Sequence, residues 1–115
     1  MGIVHHGNYP QYLEMGRIEW LRSLGVSYKS MEDSGIILPV VSISINYKKS
    51  AYYDDLLFVR TFLRKKPMVR IEFDYEIYNG EGELLADAKT VLAFMDAKKN
   101  KPMRCPADIL QKMGF

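Results

Sequence analysis

The sequence predicts an α+β domain, with one amphipathic helix near the N-terminus packed against an antiparallel sheet. Three observations predict it. Residues 9–24 repeat apolar side chains at helical spacing, and nearly everything after Gly25 alternates with a period of two. At 115 residues, with strands this long, the chain is too short for a parallel sheet covered by helices on both faces.

The helix organises the rest. Counted at 3.6 residues per turn, Tyr9, Tyr12, Leu13, Gly16, Trp20 and Leu24 share one side, with Leu21 at its margin. Gln11, Glu14, Glu19 and Arg22 lie mostly elsewhere, and Glu19 with Arg22 reads as an ordinary surface pair. Asn8 is a candidate N-cap, and Pro10 sits in the first turn, where its missing N–H costs little. Gly25 stands where a helix commonly ends in a left-handed residue. Gly16 is unfavourable in a helix by about 1 kcal/mol against Ala, so its place on the apolar side predicts another backbone packed close by. Residues 27–33 add a short helical turn, closed by Ser34 and Gly35.

Four strands follow. In residues 36–48, Val41, Ile43, Ile45 and Tyr47 share one face, opposite Ser42, Ser44 and Asn46. Residues 50–54 form a turn, and residues 55–65 the second strand. Residues 68–79 alternate most cleanly, with Val69, Ile71, Phe73, Tyr75 and Ile77 against Arg70, Glu72, Asp74 and Glu76. Asn79-Gly80-Glu81-Gly82 is a tight hairpin signal, because Asn and Gly accept positive φ. Residues 83–96 are the fourth strand, where Ala86, Ala88 and Thr90 share a face with Leu92 and Phe94 and leave room for the helix and Trp20. Residues 98–101 read as a solvated loop and residues 106–113 as a closing helix. No repeat, linker or low-complexity segment interrupts the chain, so residues 1–115 read as a single domain.

Composition narrows the function. Sixteen basic against fourteen acidic residues leave a formal charge of +2, too balanced for a nucleic-acid binder. Cys105 is alone and cannot close an intrachain disulfide, which predicts a reducing, cytoplasmic setting. No apolar run approaches the roughly 18 residues of a membrane span. No secretory signal is visible. A myristoylation motif after Met1-Gly2 fails because His6 stands where Ser or Thr is needed.

The motifs then carry a resemblance. The run Gly2-Ile3-Val4-His5-His6-Gly7-Asn8-Tyr9, with Tyr12-Leu13-Glu14, Arg17, Glu19-Trp20-Leu21 and Leu24-Gly25, resembles acyl-CoA thioesterases of the 4-hydroxybenzoyl-CoA thioesterase and YbgC type. Tyr47 with Ala51-Tyr52-Tyr53-Asp54-Asp55 resembles the turn between that family's second and third strands, with Ser50 where Pro is common. Residues 92–96, Lys101-Pro102 and Pro106 resemble its last strand and closing turn. The resemblance covers essentially the whole chain. It implies the hot-dog fold, an antiparallel sheet wrapped around one long helix. It also implies hydrolysis of acyl-CoA to a carboxylic acid and CoA, at sites between the subunits of a homodimer or homotetramer. No cofactor is implied beyond the coenzyme A of the substrate. The family motif opens with an Asp that serves as nucleophile or general base. Here that position falls two residues before Met1, so the Asp and most of the first strand are expected upstream of this chain.

The chemistry fits the helix start. A thioester carbonyl must be polarised while water or a carboxylate attacks it, and a helix N-terminus offers unpaired N–H groups and a positive dipole end. By the resemblance, the backbone N–H of His6 is the oxyanion donor, and its imidazole orients water or moves a proton. His5 and Glu14 are further catalytic candidates. Read from the residues alone, the two histidines are surface or capping groups, and Glu14 is a solvated residue paired at helical spacing with Arg17 or with the exposed neighbours of Ile18. Gly2, Val4, Asn8, Tyr9 and Tyr47 are candidate substrate contacts, with Asn46 beside them. Arg64, Lys65 and Lys66, with Arg70 close by, suit the phosphates of CoA; the alternative is a charged hairpin that keeps a sheet edge soluble. No metal site is expected, because adjacent histidines rarely converge on one ion and no third ligand is evident. A non-catalytic or degenerate acyl-CoA-binding protein is the alternative function.

Overall fold

The computed structural model describes residues 9–50 and 56–115. Gly2, Val4, His5, His6, Asn8 and the turn at residues 51–54 lie outside the described residues. Helix α1 (Tyr9–Ser23) matches the expected helix to within one residue. Its end is a Schellman motif: Val26 N–H donates to Leu21 C=O and Gly25 N–H to Arg22 C=O, each at 3.0 Å, with Gly25 at φ 81°. Helix α2 (Tyr28–Asp33) follows, capped by Ser27, whose hydroxyl accepts from the Ser30 N–H at 3.1 Å.

The strands are β1 (Ile36–Ile37), β2 (Val40–Tyr47), β3 (Phe58–Phe62), β4 (Arg70–Tyr78), β5 (Leu84–Ala93), β6 (Met95–Asp96) and β7 (Lys101–Pro102), and α3 (Ala107–Lys112) closes the order. One antiparallel sheet has the order β2-β5-β4-β3, and a small second sheet has the order β1-β6-β7. The second sheet corrects two expectations. The strand expected at residues 36–48 is split, because Pro39 has no N–H for a ladder; its carbonyl accepts instead from Ala93 N–H at 3.1 Å. The loop expected at residues 98–101 is a tight turn between β6 and β7. There Asp96 Oδ1 accepts from the Lys98 and Lys99 N–H groups, Asn100 takes φ 52°, and Lys101 pairs with Asp96. The expected 55–65 strand shortens to β3. The β4–β5 hairpin forms where the Asn-Gly signal stands: Asn79 Oδ1 accepts from both Glu81 and Glu83 N–H at 3.0 Å, and Gly82 takes φ 83°.

The core lies between α1 and the inner face of the central strands. Ile71, Phe73, Tyr75 and Ile77 of β4 are at most 1% exposed, and Ala86, Thr90 and Leu92 of β5 are buried with them. Trp20 meets the Phe73 ring of β4 edge-on at 5.5 Å. The buried row of α1 is Tyr9, Leu13, Arg17 and Leu21, so Leu21 is central rather than marginal. Gly16 is packed close, but against side chains and not a backbone. A Cβ added there would lie 2.9 Å from Thr61 Oγ1 and 3.0 Å from Val59 Cγ1.

Candidate functional site

The start of α1 is fixed to the end of β2. Tyr9 is buried and stacks on Tyr47 at 5.3 Å with 20° between the ring planes, and it tilts against Tyr12 at 6.0 Å. Tyr9, a candidate substrate contact that also falls in the apolar stripe, is 1% exposed and backs Tyr47, which is 44% exposed. Asn46, beside it, donates to Asp87 Oδ1 at 3.0 Å on the outer face. β2 therefore runs from Tyr47, at the helix start, to Val40 farther along the helix.

At that far end a cleft of about 270 Å³ opens between α1, α2 and the chain entering β2, lined by Glu14, Arg17, Tyr28, Glu32 and the apolar residues Ile36 to Leu38 and Val40. Arg17 sits at the buried side, 5% exposed. Its Nε donates to the Tyr28 hydroxyl at 3.0 Å and its Nη1 to the Tyr75 hydroxyl at 3.3 Å, and Tyr75 Oη lies 2.7 Å from Thr90 Oγ1. Burial works against the Arg17 charge, but the bonds to the two tyrosines outweigh it and hold its pKa above the ordinary value. Burial likewise pushes the Tyr75 phenol up. Glu14 is exposed and lines this cleft, while Arg17, its expected partner, turns inward. Glu19 and Arg22 form the expected surface pair at 3.4 Å.

The basic cluster divides. On the outer face of the sheet Arg64 pairs with Asp74 at 3.3 Å and lies over the Phe62 ring, and Lys65 pairs with Glu72 at 3.1 Å. Lys89 reaches both carboxylates, at 3.7 and 3.9 Å. Hydrogen bonding from Lys65 holds Glu72 below the usual carboxylate range. Lys66 and Arg70 carry no ion pair among the described residues, and both border a shallow cleft with Met68, Val69 and Val91. Cys105 is buried, which together with Asp108 raises its thiol to about 11. No described helix is long and apolar enough to cross a membrane.

Sequence reasoning missed Arg17 as a buried group, although the signal was present. Positions 9, 13, 17 and 21 repeat every four residues, so Arg17 falls in the row that packs inward.

Residues 1–113 match the family described as the thioesterase-like superfamily. The chain belongs to the thioesterase-like superfamily. Within this superfamily, YneP of Bacillus subtilis is 36% identical over 104 residues, covering 90% of this chain and 75% of YneP. The acyl-CoA thioester hydrolase YbgC of Escherichia coli is 28% identical over 109 residues, covering 95% and 81%. Among solved structures, the DHNA-CoA thioesterase of Staphylococcus aureus superposes with a TM-score of 0.85 at 39% identity, covering 90% of this chain and 70% of that one. The antiparallel sheet around α1 is thus the hot-dog fold of thioesterase-like proteins.

Proposed function

We infer that this chain is an acyl-CoA thioester hydrolase, cleaving acyl-CoA and water to a carboxylic acid and CoA. The observation that carries the reading is the match of residues 1–113 to the thioesterase-like superfamily, together with its similarity to a solved DHNA-CoA thioesterase. The reaction needs no cofactor beyond the coenzyme A of the substrate.

The fold supplies what the reaction requires. A helix N-terminus offers N–H groups and the positive end of a dipole, and in this reading the start of α1 stabilises negative charge on the thioester oxygen as it develops. His6 N–H is the oxyanion donor in this reading, and its imidazole or that of His5 moves the proton to the leaving thiolate. The attacking carboxylate, by the family motif, belongs two positions before Met1. Tyr47, held by its stack on Tyr9, borders the acyl path at this end of the helix. For the CoA phosphates, Lys66 and Arg70 are better placed than Arg64 and Lys65, whose charges are already engaged by Asp74 and Glu72.

The active site lies between subunits of a homodimer. β2 supports this reading: among the described residues it is an edge strand, and Ile43 and Tyr47 on its inner face are each 44% exposed, beside the buried Thr90 and Ala86 of β5. The lone Cys105 suits a reducing cytoplasm.

CoA release, followed by thiol titration across a panel of acyl-CoA substrates, tests the activity. A chain extended upstream, with Asp two positions before Met1, is expected to release CoA at least about a hundredfold faster than residues 1–115 alone. His6→Ala in the extended chain lowers the rate only in part, because the backbone donor survives. Binding of acyl-CoA without CoA release by either form overturns the hydrolase reading in favour of an acyl-CoA-binding protein. Equal rates from the two forms overturn the upstream carboxylate and turn attention to Glu14.

A further inference from the structure

The Arg17 cluster has an unusual hydrogen-bond balance. Arg17 carries five N–H donors and no acceptor. Two of them are used, toward Tyr28 and Tyr75. Tyr75 accepts from Arg17, and its hydroxyl shares a second hydrogen bond with Thr90. Tyr28 accepts from Arg17 Nε, so its own O–H points elsewhere. Both bonds of the guanidinium go to neutral hydroxyls, and no carboxylate lies within ion-pair distance of Arg17 among the described residues. Among those residues no side-chain nitrogen or oxygen sealed from solvent lacks a partner, and Arg17 lines the cleft. The cleft is thus lined by a guanidinium with no carboxylate partner and by Tyr28, with apolar walls from Ile36, Ile37, Leu38 and Val40.

We propose that Arg17 and Tyr28 form a recognition site for the far end of the acyl group, selecting acyl-CoA substrates whose acyl chain ends in a carboxylate. The proposal rests on the hydrolase reading for the identity of the other end of the ligand. Nη2, which no hydrogen bond among the described residues uses, is a charged donor suited to a carboxylate, and a bond to a charged group is worth more in a half-closed site than in water. Glu14 and Glu32 line the same cleft, but both are exposed, so their charges are screened by salt far more than that of the buried Arg17. The spacing suits a linear acyl chain. Arg17 lies eight residues beyond Tyr9, about 12 Å along the helix axis, and a helical side chain leans back toward the N-terminus and shortens that span. The cleft, at about 270 Å³, admits the end of an acyl chain and not a whole CoA.

The test compares short ω-carboxyacyl-CoA thioesters with straight-chain acyl-CoA thioesters of equal length, in the extended active chain and in its Arg17→Met and Tyr28→Phe variants. The readout is the ratio of kcat/KM between the two substrate classes. The ratio is expected to favour the carboxylate in the parent, to fall more than about tenfold in Arg17→Met, and to fall a few-fold in Tyr28→Phe. A purely structural Arg17 would lower both classes together, and an unchanged ratio in Tyr28→Phe, which keeps the fold even where Arg17→Met does not, overturns the proposal. Calorimetry with the free dicarboxylate separates the two readings. Binding that Tyr28→Phe weakens supports the site even if no thioester is cut, whereas hydrolysis without any dicarboxylate binding leaves the hydrolase and removes the site.

Discussion

β4 and β2 carry the same alternating pattern and meet opposite fates. The inner-face residues of β4 are sealed beneath α1, with Phe73 and Ile77 fully buried. The inner-face residues of β2, paired two strands away through β5, stay half open, with Ile43 and Tyr47 at 44% exposure and Ile45 between the extremes. Period-two spacing thus tells which face a residue takes but not whether anything covers that face. Coverage depends on reach: one helix of fifteen residues shields the middle of a four-stranded sheet and not its β2 edge. An apolar strand left open at an edge is a surface for another copy, and this difference supports the dimer proposed above.

The contrast breaks most visibly in the centre. Phe73→Ala removes a ring held between Trp20 and Tyr75, and it should cost about 3–5 kcal/mol in urea unfolding. The next largest effect is expected where α1 rests on β3. Gly16→Ala gains about 1 kcal/mol of helix propensity but drives a methyl into Thr61 and Val59, both stiff at χ1, so the net is a loss of about 1 kcal/mol by thermal melting. On β2, Ile43→Lys should leave the far-UV dichroism of the fold intact while sedimentation shifts from dimer to monomer; an unchanged dimer would place the interface elsewhere. The smallest effect belongs to the outer face. Glu72 is held below its ordinary pKa by Lys65, so its ionised form stabilises the fold above the usual carboxylate range, and that stability is lost as pH falls through the lowered value. Glu72→Gln should therefore cost less than about 1 kcal/mol at neutral pH, and the difference from the parent should vanish in strong acid.

Much of this architecture was legible in the residues. The span of α1, the Gly25 stop, the Asn79 hairpin and the small-residue face of β5 all follow from local chemistry, and each stands within a residue or two of its expected place. Less legible was anything set by partners distant in sequence. The split at Pro39 could have been read from its missing N–H, but the pairing of β1 with β6 brings together Ile36 and Asp96, which no local pattern joins. Arg64 and Lys65 looked like free phosphate ligands until β4 brought Asp74 and Glu72 beneath them. Arg17 looked like a surface partner for Glu14 because charge usually means exposure, whereas its hydroxyl partners come from α2 and β4. The candidate site was legible as a motif at residues 2–9, and those positions, apart from Tyr9, lie outside the described residues.

The bonds that run from Arg17 through Tyr75 to Thr90 also act as a key in a lock. Apolar contacts have no direction, and a helix bedded in leucine and phenylalanine can turn about its axis or creep along it at small cost. Hydrogen bonds weaken steeply once bent, so a group fastened to α2 on one side and to β4 on the other resists both motions. Each residue of slip would turn α1 by about 100° and swing the guanidinium away from both hydroxyls. The angular setting of the whole helix, and with it the direction in which the N–H groups at its first turn point, is thereby fixed from a position two turns away.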